Sequence, residues 1–249
     1  MILTPDWPAP PAVHAAFTLR TGGVSEPPCD TLNLGTGSGD AEQAVAENRR
    51  RVQALVGWPS EPVWLEQVHG TTVIDLDRIA AAPQGTMHRP PRADGAVSRR
   101  GGRVCVVRVA DCMPVLFAAR DGSVVGAAHA GWRGMAGGVL DATVQRLGVA
   151  PRDLLAWMGP AIGPAHFEVG EEVRTAFMEG DAGASVAFAP NPRGRWQCDL
   201  YALARRKLLA LGIGGIHGGG WCTYADAARF FSYRRDGRCG RMAALIWAD

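Results

Sequence analysis

Residues 114–128 constrain the fold more than any other stretch. "PVLFAA" (114–119) and "SVVGAA" (123–128) are short apolar runs, and only "RDG" separates them. That is a hairpin signal, and a hairpin pairs its strands antiparallel. Further short apolar runs predict strands at 62–68, 104–109, 154–159 and 242–247. Helical stretches are set apart from them. Hairpins with segregated helices argue for an α+β fold over a doubly wound parallel sheet.

The helices are marked by their punctuation. One is expected over 40–57, with Asp40 as N-cap and Gln43 completing a capping box. Val45, Val52, Leu55 and Val56 would share its inner face, and Gly57 would end it. A second runs from Gly134 to Gly148 with Leu140, Val144 and Leu147 at helical spacing. A third starts at Asp199 and stops at Gly212, with Leu200, Leu203, Ala204, Leu208 and Leu211 inward. A shorter one covers 170–179. Long surface loops are expected at 80–95 and 189–197, where proline, glycine and basic residues gather. No internal repeat divides the 249 residues, and that length fits one large domain or two small ones.

Composition excludes some function classes. The chain is 47% hydrophobic and 20% charged, with a net charge of +2. That balance calls for neither nucleic acid nor an acidic membrane. Lys207 is the only lysine among 26 basic residues, and arginine grips phosphate and carboxylate bidentately. The N-terminal "MILTPDWPAPPAVH" has no cationic leader followed by an apolar core. No apolar run reaches the roughly 18–20 residues of a membrane span. The six cysteines form no C-x-x-C, so reduced thiols in the cytoplasm are expected.

Three blocks carry the candidate chemistry: "EQVHG" (66–70), "ADCMPV" (110–115) and "AHAGWRG" (128–134). Each sets a soft ligand or nucleophile at the end of an apolar run: His69, Cys112 and His129. Two imidazoles and a thiolate suit Zn²⁺, and three protein ligands leave a fourth position open, as in a catalytic site. Zinc in such a site lowers the pKa of its water to about 7. Copper also enters His₂Cys sites, since Cu²⁺ outcompetes Zn²⁺ at most nitrogen and sulfur donors. The same residues admit a cysteine hydrolase, with Cys112 as nucleophile, His129 or His69 as base and Asp111 orienting the histidine. Spacing alone does not separate the two.

Around these blocks, "TLRTGGVS" (18–25) and "NLGTGSGD" (33–40) are glycine-rich, and the second runs into the first helix. Backbone N–H groups at a helix start beside an arginine make an anion site. Taken alone, both loops read first as plain turns, and Arg49, mid-helix, as part of a solvated face. The candidate substrate-binding residues are Arg20 and Asn33 in these loops, Arg49, and Asp111 and Arg133 flanking the ligand blocks. Arg133 either faces a pocket or caps a first turn. The stretch 230–247 either walls a planar ligand or forms a buried hairpin. P-loop, dinucleotide and nucleophile-elbow motifs are absent. "HFE" (166–168) matches half of a nucleobase-deaminase signature, but no P-C-x-x-C follows, so His166 reads as a packing or loop residue. His14, His88 and His217 have no persuasive context, and His88 is expected in solvent.

Taken together, "TLRTGGVS", "NLG", "ENRRR", "WLEQVHG", "ADG", "ADCMPVLF", "AHAGWRG", "GPAIGPAHFEVGEEV", "CTY" and "FFSYRRDGRCGRMAALIW" resemble the bacterial laccase-domain family. Its members carry the labels polyphenol oxidase, peptidoglycan editing factor and purine nucleoside phosphorylase. The resemblance implies one α+β domain over 1–249, a layered α/β/β/α sandwich with mixed sheets. It implies zinc on His69, Cys112 and His129, and Arg20 in the phosphate or substrate pocket. It implies phosphorolysis of adenosine, inosine, guanosine and methylthioadenosine, and deamination of adenosine. The expected partners are thus a purine nucleoside and phosphate, acting on a monomer or weak oligomer. Copper-dependent phenol oxidation ranks second, because four coppers need more imidazoles than the six histidines here. Hydrolytic editing of peptidoglycan precursors by a Cys–His pair ranks third.

Overall fold

The computed structural model describes residues 1–79 and 90–249. The strands are β1 (Ile2–Leu3), β2 (Val13–Thr18), β3 (Val73–Asp75), β4 (Gly95–Ser98), β5 (Cys105–Val109), β6 (Met113–Ala119) and β7 (Val125–Ala130). They continue as β8 (Leu154–Met158), β9 (Glu168–Val169), β10 (Phe188–Pro190), β11 (Trp196–Cys198), β12 (Gly215–Gly218) and β13 (Met242–Ala248). The α-helices are α1 (Glu42–Val56), α2 (Trp132–Gly137), α3 (Val139–Leu147), α4 (Glu171–Met178), α5 (Leu200–Ala210) and α6 (Tyr233–Asp236).

The 114–128 hairpin forms, with β6 and β7 antiparallel in register from Met113↔Ala130 to Ala118↔Val125. Asp121 accepts the Ser123 N–H, and Gly122 takes the left-handed φ of 76° that the link requires. This hairpin is the centre of a six-stranded sheet, order β12-β8-β6-β7-β4-β3. The outer pairs β12–β8 and β3–β4 are parallel, so the sheet is mixed. A four-stranded sheet, β1-β2-β13-β5, packs on it, and a small sheet, β10-β11-β9, stands apart.

Side-chain alternation shows the layers. On β13, Ala243, Leu245 and Trp247 join Val52 of α1 in one cluster. Met242, Ala244 and Ile246 point the other way, onto Leu116 and Ala118 of β6 and Trp157 of β8. The alternate residues Val115 and Phe117 meet Leu140 and Leu147 of α3 and Leu203 and Leu208 of α5. Every central strand is therefore covered on both faces, which is why these runs are apolar throughout. The result is a mixed α/β, four-layer α/β/β/α sandwich.

Several boundaries differ from the sequence expectation. Helix α1 is capped by Ala41, because Asp40 turns its carboxylate to the Ala41 N–H and the Asn33 amide. Leu55 is exposed and Asn48 takes its place on the buried face. The helix expected from Gly134 is two helices, broken at Gly138, whose φ of 99° no helix tolerates. Residues 62–68 are not a strand. Only Glu66 makes a bridge, to Arg92, while the Gln67 amide takes the ladder positions on Arg108, donating to its C=O and accepting its N–H, both at 2.8 Å. The loop expected at 80–95 ends in buried Ala93, Asp94 and Gly95, the last opening β4. Its residues 80–89, with His88, lie outside the described residues. The 189–197 stretch is the β10–β11 hairpin. Residues 230–247 form no hairpin: Phe230 and Phe231 are buried, and one helical turn leads into β13.

Candidate metal centre and its cavity

The β6–β7 register brings Cys112 beside His129. Pro114 pairs with His129, and Cys112 lies two residues before Pro114 on the same side of the sheet. That side faces the four-stranded sheet, so both side chains stand at the mouth of the inter-sheet layer. His69 arrives on a loop, not on a strand end as its sequence block suggests. The loop is held there by one buried carboxylate. Asp94 accepts the backbone N–H of Val68 (3.2 Å), His69 (2.9 Å) and Gly70 (2.7 Å). It also accepts from His129 Nδ1 at 2.8 Å. This grip holds His69 at a φ of 59°, a conformation costing on the order of 1–3 kcal/mol for a residue with a β-carbon.

The three ligand atoms lie within 4.8 Å of one another, and Cys112 Sγ is 3.8 Å from His69 Nε2. A tetrahedral ion with bonds of about 2.0–2.3 Å needs ligand spacings of about 3.5 Å, close to these. His69 is exposed, Cys112 half-buried and His129 buried. Burial alone would push the Cys112 thiol up, but His129 and His69 outweigh it and hold the thiol below its ordinary range. Burial likewise works against a charged His129, and Cys112 and Asp94 override it, raising the histidine. Burial would raise Asp94 too, yet the His129 and backbone hydrogen bonds keep it below the usual carboxylate range.

The arrangement fits a metal ion. Asp94 takes Nδ1 of His129 and leaves Nε2 to face the cavity, the carboxylate–histidine arrangement that orients metal ligands. A β-carbon on Gly131 would lie 2.7 Å from Cys112 Sγ and 3.2 Å from His69 Cδ2. That glycine therefore keeps the space the ligand atoms need. Above the group is a cavity of about 540 Å³, within the range of small-molecule sites.

Of the predicted substrate residues, Asp111 and Arg133 line this cavity beside the His–Cys–His group. Asp111 orients no histidine. Its carboxylate accepts the Thr223 hydroxyl at 2.6 Å and the Arg234 N–H at 2.7 Å, holding its own φ of 88°. Arg133 is exposed and stacks on Trp132, 4.3 Å from the ring centre. Arg20 is not on the cavity wall: it donates to the Asp30 and Ala227 carbonyls and to the Asp30 carboxylate, and lies over Phe231. Arg49 is not in solvent but stacks 3.7 Å over Trp64 and donates to the Leu34 C=O. Asn33 is fully buried behind the wall. Sequence reasoning missed Asp94, and Gln67 and Arg108 on the cavity wall, whereas the stretch 230–247, offered as a wall, does supply Tyr233, Arg234 and Arg241 to it. An arginine inside the apolar run "VCVVRV" was the signal for Arg108.

Sandwich and site together define a class: a mixed α/β protein whose three-residue His–Cys–His group, suited to one metal ion, opens into a cavity between its sheets. The chain belongs to the family described as multi-copper polyphenol oxidoreductase laccase, whose model matches residues 14–249. It is 52% identical over 247 residues to a Pseudomonas aeruginosa protein named purine nucleoside phosphorylase, covering 98% of this chain and 97% of that one. It is 50% identical over 246 residues to purine nucleoside phosphorylase YfiH of Escherichia coli K12, covering 99% and 98%. A crystal structure of a Neisseria meningitidis protein superposes with a TM-score of 0.93 at 46% identity, covering 100% of this chain and 99% of that one.

Proposed function

We propose that the protein is a zinc-dependent purine nucleoside phosphorylase that accepts adenosine, inosine, guanosine and methylthioadenosine, and that it also deaminates adenosine. The observation that carries this is the His69–Cys112–His129 group, aimed into a cavity walled by arginines and by Trp132, Phe167 and Tyr233. The names of the relatives support the purine nucleoside phosphorylase part of it. A His₂Cys donor set with one open position suits zinc, which when bound supplies Lewis acidity there.

In phosphorolysis a phosphate oxygen bonds to C1′ of the ribose, the C1′–N9 bond breaks, and its electron pair leaves with the base, which takes up a proton. Deamination instead adds water at C6 of adenine and expels ammonia. For either reaction Asp94 fixes His129 and the His69 loop, so the ligating atoms are pre-positioned. The three aromatic side chains give apolar surface for a purine, and the guanidiniums balance phosphate charge. All six cysteines are free, which fits a reducing cytoplasm. No helix among the described residues is long and apolar enough to cross a membrane.

Copper-dependent phenol oxidation is the second reading, favoured by the family's description and by a donor set that also takes Cu²⁺. One experiment separates them: metal analysis of purified protein, with products of adenosine plus phosphate. About one zinc per chain and adenine as product are expected, and Cys112→Ala should lose both. Inosine alone would leave deamination; phenol turnover that needs copper, without adenine, would favour the second reading. Full phosphorolysis by metal-free Cys112→Ala would falsify the zinc mechanism.

A further inference from the structure

The arginines of the cavity are more than scattered charge. Four of them, Arg108, Arg133, Arg234 and Arg241, line the wall against a single carboxylate, Asp111, whose oxygens are already engaged by Thr223 and the Arg234 N–H. The glycine-rich loop 35–38 lies on the same wall, through Gly35, Gly37 and Ser38. We propose that Arg108, Arg241 and this loop form an oxyanion subsite, and that it holds inorganic phosphate. The choice of phosphate rests on the phosphorylase reading.

A built framework supports the subsite. Buried Asn33 ties loop and arginine together: its Oδ1 accepts the Gly35 N–H at 2.9 Å and the Arg241 N–H at 2.8 Å. Its Nδ2 donates to Ser38 Oγ and to Asp40, both at 2.8 Å. Gly35 is required for the fit, since a β-carbon there would stand 2.8 Å from Arg241 Cγ. This framework fixes the backbone of Arg241 beside the loop. Its Nη1 donates to the Cys239 and Gly240 carbonyls at 2.8 and 3.0 Å, while Nε and Nη2 make no hydrogen bond among the described residues and are left for an anion.

The charge is also unbalanced. Arg108 Nε is buried with no hydrogen-bond partner, although Arg108 Nη2 donates to the Leu65 C=O. Burial and the facing charge of Arg241 pull Arg108 down to about 10. Arg49, stacked over Trp64, is pulled down to about 10 by burial and by Arg108. Guanidiniums desolvated side by side repel one another, and an anion between them relieves both costs. Arg20, the sequence candidate for this role, has its donors committed to Asp30 and Ala227 and is not on the wall.

The test uses zinc-loaded protein, with inorganic phosphate titrated by calorimetry and with phosphorolysis and deamination of adenosine assayed in parallel. Arg241→Met and Arg108→Gln should raise both Kd and KM for phosphate about tenfold or more, while kcat for deamination changes far less. Arg241→Lys should recover part of the loss. Because arginine variants can misfold, a second pair carries the same question. Gly37 lines the cavity and a β-carbon there would meet nothing within 4 Å, so Gly37→Glu adds a carboxylate at the cavity wall. It should weaken phosphate much more than the neutral Gly37→Gln. Adenine formation with phosphate Kd and KM unchanged in every variant would overturn the subsite and leave the phosphorylase reading standing. Phosphate binding that these variants weaken, in a protein that makes no adenine, would uphold the subsite and remove that reading.

Discussion

Among the described residues two Cys–His groups stand out, and they are built differently. Cys112 faces His69 and His129 at the cavity floor. Cys222 faces one histidine, with Sγ 3.5 Å from His166 Nδ1. Each sulfur has a glycine at its back, Gly131 and Gly163. The difference is in what satisfies the partners. Cys222 Sγ accepts the backbone N–H of Gly163 (3.2 Å) and Ala225 (3.4 Å), and His166 stacks on Tyr224 at 4.4 Å. No carboxylate contact orients His166 among the described hydrogen bonds. At Cys112 the histidine is held by Asp94, which also shapes the loop carrying the third ligand. A thiol beside an imidazole is thus not yet a metal site. A second imidazole and a carboxylate that fixes both make a group fit to hold a metal.

Removing Asp94 should break the contrast most severely. Asp94→Ala strands three backbone N–H groups and the His129 Nδ1–H, each worth about 1–3 kcal/mol when buried without a partner. We expect a loss of several kcal/mol in urea unfolding together with loss of metal. Asp94→Asn keeps the shape and should cost about 10–100-fold in metal affinity, read by competition with a chromophoric chelator. Tyr224→Ala, at the other group, should leave metal affinity unchanged. Wild-type affinity in Asp94→Asn would show that the carboxylate is only structural.

The glycines give a smaller effect. A β-carbon at 131 meets Cys112 Sγ at 2.7 Å, and one at 163 meets Cys222 Sγ at 3.2 Å. Gly131→Ala must displace the sulfur and should weaken metal binding about tenfold or more, with phosphorolysis falling in step. Gly163→Ala asks for a shift of tenths of an ångström and should leave metal content alone. Equal metal loss in both variants would mean that the two groups are coupled through the core.

How far the sequence revealed this site follows from the kind of contact involved. His69, Cys112 and His129 were legible because each breaks an apolar run with glycine or a polar residue beside it. The central hairpin was legible because its link is short and local. Asp94 was hidden because its partners lie 24–35 positions away in the chain. No local pattern records such a contact. Residues 62–68 misled for a related reason: the ladder positions beside a short apolar run are taken by a Gln67 side chain on Arg108 instead of by a strand. Arg20 misled because arginine beside glycines looks alike whether it binds an anion or ties two loops. Only the positions of Asp30 and Ala227 tell them apart.

Thiol chemistry offers the finest test of the contrast, because it needs no mutation. In metal-free protein at neutral pH, His129 and His69 favour the Cys112 thiolate over the burial that opposes it. Burial instead pushes Cys198 up to about 12, and holds Cys105 far above its ordinary range. Iodoacetamide attacks thiolates, so Cys112 should be modified well ahead of Cys198 and Cys105. Peptide mapping by mass spectrometry gives each rate. Zinc should slow modification of Cys112 about tenfold or more, because a coordinated sulfur lends its lone pair to the metal. It should leave Cys222 unchanged, since that sulfur bonds to backbone N–H groups and not to the metal ligands. Equal zinc protection of both cysteines would place metal at both groups, and the distinction drawn from Asp94 would fail.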